Sequence, residues 1–306
     1  MENIYTKTIT KKMKYPVYIV SKGRWDNPLT ANFFIKDGVD FKIVVEPQEY
    51  DNYCKSIGEK YVLKLPFKNL GVGSYPARNF AWEDSLKNGY ERHWIFDDNI
   101  HRIRRVNKGL KIPCNSKKAM ATIEEFTDRY ENIGITGFNY GTFVVPGTSD
   151  KKPFYLNVHA YSAMLIKNNM PYRWRLKYNE DVDLCLQVLD NNLCTILINA
   201  FIVDKTSTVA KMKGGNQDEL YKNNAYEKKV LKTKSLEEIW PQYVKTIIRF
   251  NRPHHFVDWK GHFNHSLVRK KEINWNKLEN LENNFKLKKV KEIKNKLLND
   301  YYNNKK

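Results

Sequence analysis

Cysteine is scarce in this 306-residue chain, and none of the four (Cys54, Cys114, Cys185 and Cys194) stands in a CxxC pair. That spacing argues against a structural zinc site. Cys185 falls on an apolar helical face and Cys194 in an apolar run, so both read as reduced core thiols. No apolar run approaches the roughly 20 residues that a membrane span needs. The opening "MENIYTKTITKKMKY" lacks the hydrophobic segment of a secretory signal. The expectation is a cytoplasmic protein with no membrane partner. A glycine-rich phosphate loop is missing after the first apolar strand, where "SKGR" stands instead, which disfavours a sugar nucleotidyltransferase. Acidic residues are also in deficit, 34 Asp+Glu against 53 Lys+Arg, for a net charge of +19. Such an excess favours a polyanionic partner such as nucleic acid. The abundance of Lys, Asn, Ile and Tyr, residues of AT-rich codons, offers genomic bias as a second source of the same excess.

What is present is a regular alternation. "YPVYIV" at 15–20, "FKIVVE" at 41–46, "YVLKL" at 61–65 and "RHWIF" at 92–96 read as short buried strands. Between them, 27–38, 47–58 and 77–90 read as helices, each closed near a glycine. Strand and helix alternating in this way predict an α/β fold with a mostly parallel sheet. Ligands of such sheets lie beyond the carboxyl ends of the strands. "SKGR" at 21–24, the loop "PFKNLGVGSYP" and the triplet Asp97-Asp98-Asn99 all follow strands, so all three are expected on one rim. Further on, 117–132 reads as helix, "IGITGF" and "TFVVP" as strands, 155–167 as one long strand, 179–192 as an amphipathic helix and 193–205 as a buried strand. From 216 the chain reads as mainly helical. Its last segment, 266–306, carries 12 Lys+Arg against 5 Asp+Glu.

The acidic triplet is the first chemical signal. Adjacent carboxylates repel unless a cation or donor compensates them. In extended backbone Asp97 and Asn99 point one way and Asp98 the other. Oxygen ligands of this kind suit Mn²⁺ or Mg²⁺ shared with phosphates. The same triplet also suits a helix N-cap or an Asx turn.

Strand, acidic triplet and alternating upstream half together resemble the GT-A fold of nucleotide-sugar glycosyltransferases. More closely, "YPVYIVSKGRW", "LPFKNLGVGSYPARNFAWEDS", "HWIFDDNI" and "NEDVDLCLQVL" resemble the TET-associated glycosyltransferase family of bacteriophages. The resemblance implies a GT-A-like domain over 15–265, after a lead of 14 residues and before the basic C-terminal segment. Residues 15–100 would be its nucleotide-binding half, and 101–265 its acceptor half with closing loops. It implies a nucleotide-sugar donor, a UDP-sugar first, a divalent metal, and a 5-hydroxymethylpyrimidine in DNA as acceptor. Ser21, Lys22, Arg24, Arg78, Asn79 and Asp97 would contact the donor. Asp97, Asp98 and Asn99 would hold the metal, completed by a late histidine, His254, His255 or His262.

Glycosyl transfer needs a neutralised leaving group and a base for the acceptor hydroxyl. Asp181 is the first candidate for the base and Glu180 the second. Three acids in four residues also suit an ordinary helix N-terminus. Arg24 and Arg78 offer guanidinium forks for phosphate, although a surface ion pair is the commoner use of arginine. "KMKGGN" supplies Lys211, Lys213, Gly214 and Gly215 for a loop closing over the diphosphate, or for a plain connector. Tyr172, Arg173, Trp174 and Arg175 interleave aromatics with cations, as an acceptor-DNA element would; an edge strand with its aromatics inside reads the same way. Two other functions fit the residues: transfer to a polysaccharide or protein acceptor, and nucleic-acid binding without catalysis.

Overall fold

The structure, a computed structural model, describes residues 12–107, 109–145, 147, 152–206, 214 and 225–280. Lys211, Lys213 and Gly215 lie outside the described residues, as do 281–306 of the basic C-terminal segment.

The sheet grows outward from β1 (Val17–Val20). It pairs in parallel with β2 (Lys42–Val45) and with β4 (Arg92–Asp97), and β2 pairs in parallel with β3 (Val62–Lys64). Beyond β4 the direction reverses at β9 (Ala163–Lys167) and returns at β7 (Ile133–Tyr140) and β10 (Cys194–Lys205). The hairpin β5 (Ile100–Asn107) and β6 (Leu110–Pro113) closes that edge, and β8 (Phe154–Leu156) pairs with the first part of β10. This is a GT-A-like α/β sheet, mixed overall and parallel from β3 through β2 and β1 to β4.

Side chains alternate across the sheet, and each face has its own core. Val17, Ile19, Trp94 and Phe96 point to the side covered by α1 (Leu29–Asp37) and α4 (Ser116–Thr127). Tyr18 and Ile95 point to the side of α3 (Tyr75–Lys87) and α5 (Glu180–Asp190). The β2–β3 crossover opens at Pro47 in a short 3-10 turn and continues as α2 (Tyr50–Ile57). Phe34 of α1 meets Phe96 edge-on at 5.0 Å. Burying a side chain of this size contributes about 1.5–3 kcal/mol. A third core joins the outer side of α5, through Val182, Leu186 and Leu189, to α6 (Ala225–Ile239) and the hairpin β11 (Val244–Arg249) and β12 (Arg252–Val257). Trp240 donates from Nε1 to Asp183 Oδ1 at 2.7 Å and ties this unit down.

The structure corrects several expectations. The stretch 155–167 is not one strand, because Asn157 (φ 54) and Ser162 (φ 58) take left-handed conformations that stop the ladder. Residues 142–145 are not a strand. The region after 216 is only partly helical. Its histidine-rich part forms β12 and the short α7 (Trp259–His262), followed by α8 (Trp275–Asn280). Among the described residues, no helix is long and apolar enough to cross a membrane.

Candidate active site

Because β1, β4, β7 and β10 run the same way, their carboxyl ends reach one rim. Ser21 follows β1, Asp97 ends β4, Tyr140 ends β7 and Lys205 ends β10, while Ser162 precedes the antiparallel β9. These residues line one cavity of about 330 Å³, together with Lys22, Arg24, Gly71, Gly73 and Asp98. The three loops expected on one rim therefore meet there.

Lys205 is the hub. Its Nζ donates to Asp97 Oδ2 at 2.7 Å, to Ser162 Oγ at 2.7 Å and to Tyr140 Oη at 3.2 Å. The other oxygen of Asp97 accepts from Arg78 Nη2 at 2.7 Å. Arg78 also donates from Nε to Ser74 Oγ at 3.1 Å and lies 4.9 Å from the ring of Trp174. Burial pushes the Asp97 carboxyl up, but Lys205 and Arg78 outweigh it and hold the group far below its ordinary range. For Lys205, burial pulls down and Asp97 pushes up, and the ammonium ends well above its ordinary value.

Asp98 faces the other way. It accepts from Ser21 Oγ at 2.6 Å and from the Arg24 guanidinium. Burial raises its pKa against the pull of Arg24. Asn99 donates to the Thr206 carbonyl at 2.9 Å. Arg24 also reaches the carbonyl of Gly214 at 3.3 Å. Gly214 presses so closely on the turn at Lys22 and Gly23 that a Cβ there would stand 2.8 Å from the Lys22 carbonyl. The one described residue of the expected closing loop therefore rests against the "SKGR" turn.

Across the cavity, α5 presents the acids expected for proton transfer. Glu180 accepts from Ser74 Oγ at 3.1 Å and stands 3.6 Å from Arg78 Nε. Burial raises its pKa, Arg78 opposes this and Asp181 adds to it. Asp181 Oδ2 lies 3.2 Å from His159 Nε2, and its Oδ1 accepts the Val182 N–H at 2.9 Å. Burial pushes Asp181 up, but His159 and Lys232 prevail and keep it well below the carboxylate range. Glu180 is thus tied to the Arg78 side and Asp181 to the His159 side.

Other candidates take different places. Asn79 does not face the cavity. Its amide holds both the N–H and the carbonyl of Trp174, at 3.0 and 2.7 Å. The expected DNA element, Tyr172 to Arg175, packs against α3 and α5. Trp174 is 1% exposed, Arg173 pairs with Glu83 and stacks over Trp82, and Arg175 pairs with the buried Asp183. Tyr172 packs against the α3 side of the core. His254 accepts from Arg252, and His262 packs on Tyr243. Of the three late histidines, His255 alone comes near the acids. Burial lowers its pKa to about 4, His159 adds to that effect, and Asp181 opposes it.

Asp97 and Asp98, two of the residues expected to hold a metal, accept from protein donors on different sides of the turn. Both oxygens of Asp97 and both of Asp98 are committed to donors, three of the four donors being cationic side chains. Among the described residues, no three His, Cys, Asp or Glu side chains converge to hold a metal. A divalent ion on Asp97 would share a carboxylate that already accepts from Lys205 and Arg78. Sequence reasoning missed Lys205, Tyr140, Ser162 and His159. The signal available for Lys205 and Tyr140 was their position at the carboxyl ends of buried strands.

A family model described as TET-Associated Glycosyltransferase matches residues 15–215, well over half of the chain. Among solved structures, a chain from Desulfovibrio desulfuricans G20 described as a nucleotide-diphospho-sugar transferase is similar at 10% identity with a TM-score of 0.35. The likeness covers 75% of this chain and 98% of that one, and at that distance it bears on neither activity nor substrate. No curated protein matches the sequence. The family match falls on the residues that build the rim cavity, and this chain belongs to the TET-associated glycosyltransferase family: it is a glycosyltransferase that draws on a nucleotide-sugar donor.

Proposed function

We propose that this enzyme moves a sugar from a UDP-sugar to the hydroxyl of a 5-hydroxymethylpyrimidine in DNA. The observation that carries the reading is the single cavity in which Lys205, Arg78 and Arg24 face Glu180 and Asp181. The diphosphate would lie on the cationic side, where Lys22 also lines the wall. Leu65, Phe67 and Leu70 continue the wall as an apolar slot suited to a nucleotide base. As the glycosidic bond breaks, the departing diphosphate gains charge, and fixed cations stabilise that charge more than the ground state.

The acceptor hydroxyl would enter on the Asp181 side. Asp181 is the base in this reading. His159 and Lys232 keep it ionised, and Glu180 is committed to Ser74 and Arg78. Arg78 and Lys205 fix the donor end and Asp181 the acceptor end, which suits attack in line with the leaving group. The charge on the leaving group falls to Lys205 and Arg78, and the expected Mn²⁺ or Mg²⁺ has no step in this scheme.

The test is incubation of the protein with hydroxymethylated and unmodified DNA and a panel of nucleotide sugars, followed by nucleoside mass spectrometry. A sugar increment on the hydroxymethylated base alone is expected. No increment from folded protein with any donor rejects the DNA acceptor. Transfer to a glycan or protein instead would move the enzyme to another acceptor class.

A further inference from the structure

The hairpin of β11 and β12 carries features that the reaction does not use. Arg249 pairs directly with Arg252, so the turn consists of Phe250 and Asn251 alone. Both are left-handed, with φ of 49 and 55, as a two-residue hairpin turn of the primed type requires. Asn tolerates that conformation; a bulky phenylalanine is an outlier there. Phe250 is nevertheless 85% exposed, so no packing holds it in place. The two arginines beside it are directly opposed, a destabilising cross-strand pair. Among the described residues, no carboxylate pairs with either one. No acid occurs from Tyr243 to Val257. On the outward face Lys245 stands opposite an exposed Phe256, in the same row as Arg249 and Arg252. The inward face carries Val244, Val257 and His255, and His255 stands beside His159, which pairs with Asp181. The hairpin therefore springs from the acceptor side of the cavity.

We infer that this hairpin is a DNA-opening element. Its outward face tracks the phosphates, and Phe250 enters the base stack in place of the nucleotide turned into the cavity. The inference rests on the proposed DNA acceptor. A two-stranded ribbon fits a major groove of about 12 Å, and the 5-position of a pyrimidine, which bears the hydroxymethyl group, lies in that groove. Enzymes acting on a base extrude it from the duplex, and apolar side chains fill or prise apart the step. Three strand rises separate His255 from Arg252, about 10 Å at 3.4 Å per residue, and the two-residue turn with Phe250 lies beyond them. An exposed, strained aromatic between two arginines that have no carboxylate partner among the described residues suits such a role.

The experiment uses the full chain and a short duplex with 5-hydroxymethylcytosine beside 2-aminopurine, without donor sugar. Binding of the wild-type protein should raise 2-aminopurine fluorescence several-fold as the neighbouring stack opens. Phe250→Asn suits the turn better, so its melting temperature should not fall, yet the fluorescence rise should be lost. With donor present, the ratio of duplex to single-strand transfer should drop roughly 10–100-fold, the equivalent of the about 1–3 kcal/mol of one aromatic–base stack. Arg249→Ala and Arg252→Ala should each lower the salt slope of duplex binding by about 1. An unchanged fluorescence rise and transfer ratio in Phe250→Asn would overturn the inference, as would a wild-type protein that leaves the duplex closed or unbound. A closed duplex with intact transfer to hydroxymethylated single strands rejects the hairpin's role and leaves the acceptor reading standing. An opened duplex without transfer does the reverse.

Discussion

Replacing Lys205 with methionine keeps the length of the side chain and removes its charge. The ammonium sits 2.7 Å from Asp97 at the cavity wall and is one-fifth exposed. Two unit charges 4 Å apart interact by about 4 kcal/mol at an effective dielectric of about 20. Only the charge that develops on the leaving diphosphate counts toward the rate, and solvent at the cavity mouth screens part of it. A loss of about 2–3 kcal/mol of transition-state stabilisation follows, a fall in kcat of roughly 30- to 150-fold at about 1.4 kcal/mol per tenfold. KM for the donor should change less. Asp97 would then be free on one oxygen, so added Mn²⁺ should restore part of the lost rate in Lys205→Met, while wild-type turnover should survive a chelator. Single-turnover transfer to a hydroxymethylated oligonucleotide, with and without EDTA or Mn²⁺, gives all four rates. A wild-type enzyme silenced by EDTA, beside a Lys205→Met variant of full activity, would rule out Lys205 as the group that stabilises the leaving diphosphate.

Other consequences follow from particular contacts. Gly214→Ala places a Cβ against the carbonyls of Lys22 and Gly23 in a left-handed residue, and backbone on both sides cannot yield cheaply. Donor KM should rise, as donor titrations will show. Asp183 is buried and gathers Arg175, Gln187 and Trp240. Asp183→Ala leaves the buried Trp240 and Gln187 donors without this acceptor and should cost about 1–3 kcal/mol in urea unfolding. His93 is buried against Asn168 at 2.6 Å, and burial lowers its pKa to about 4. From an unfolded value near 6.5, the unfolded chain takes up the proton first as pH falls, so stability drops between about pH 6.5 and 4, by about 3 kcal/mol from this group. His93→Gln should flatten the urea midpoint across that window.

The first hundred residues were legible because their signals are local. Each strand there is a short apolar run closed by Gly or Pro punctuation, and parallel order follows from alternation alone. That in turn put "SKGR", Gly71–Gly73 and Asp97–Asn99 on one rim. The two hairpins were illegible for a matching reason. Residues 100–113 mix Arg and Lys with β-branched residues, and the 244–257 hairpin turns on Phe-Asn, which carries no familiar turn signature. Tyr172–Arg175 reads identically whether its aromatics face DNA or the core, and only the acids on α3 and α5, Glu83 and Asp183, decide between them. The hub at Lys205 depends on residues 43 to 108 positions away in the chain, a convergence that sheet topology creates and no local spacing records. The acidic triplet was correctly read as needing compensation. Lys205, Arg78 and Arg24 supply compensating charge.

Crystals soaked with uridine diphosphate and manganese chloride test whether Lys205 and Arg78 hold the leaving group. The diphosphate is expected within hydrogen-bonding distance of Lys205 Nζ and the Arg78 guanidinium, with Asp97 still bound to Lys205. Manganese seated on Asp97 with Lys205 swung away, or a nucleotide bound outside this cavity, would contradict that placement.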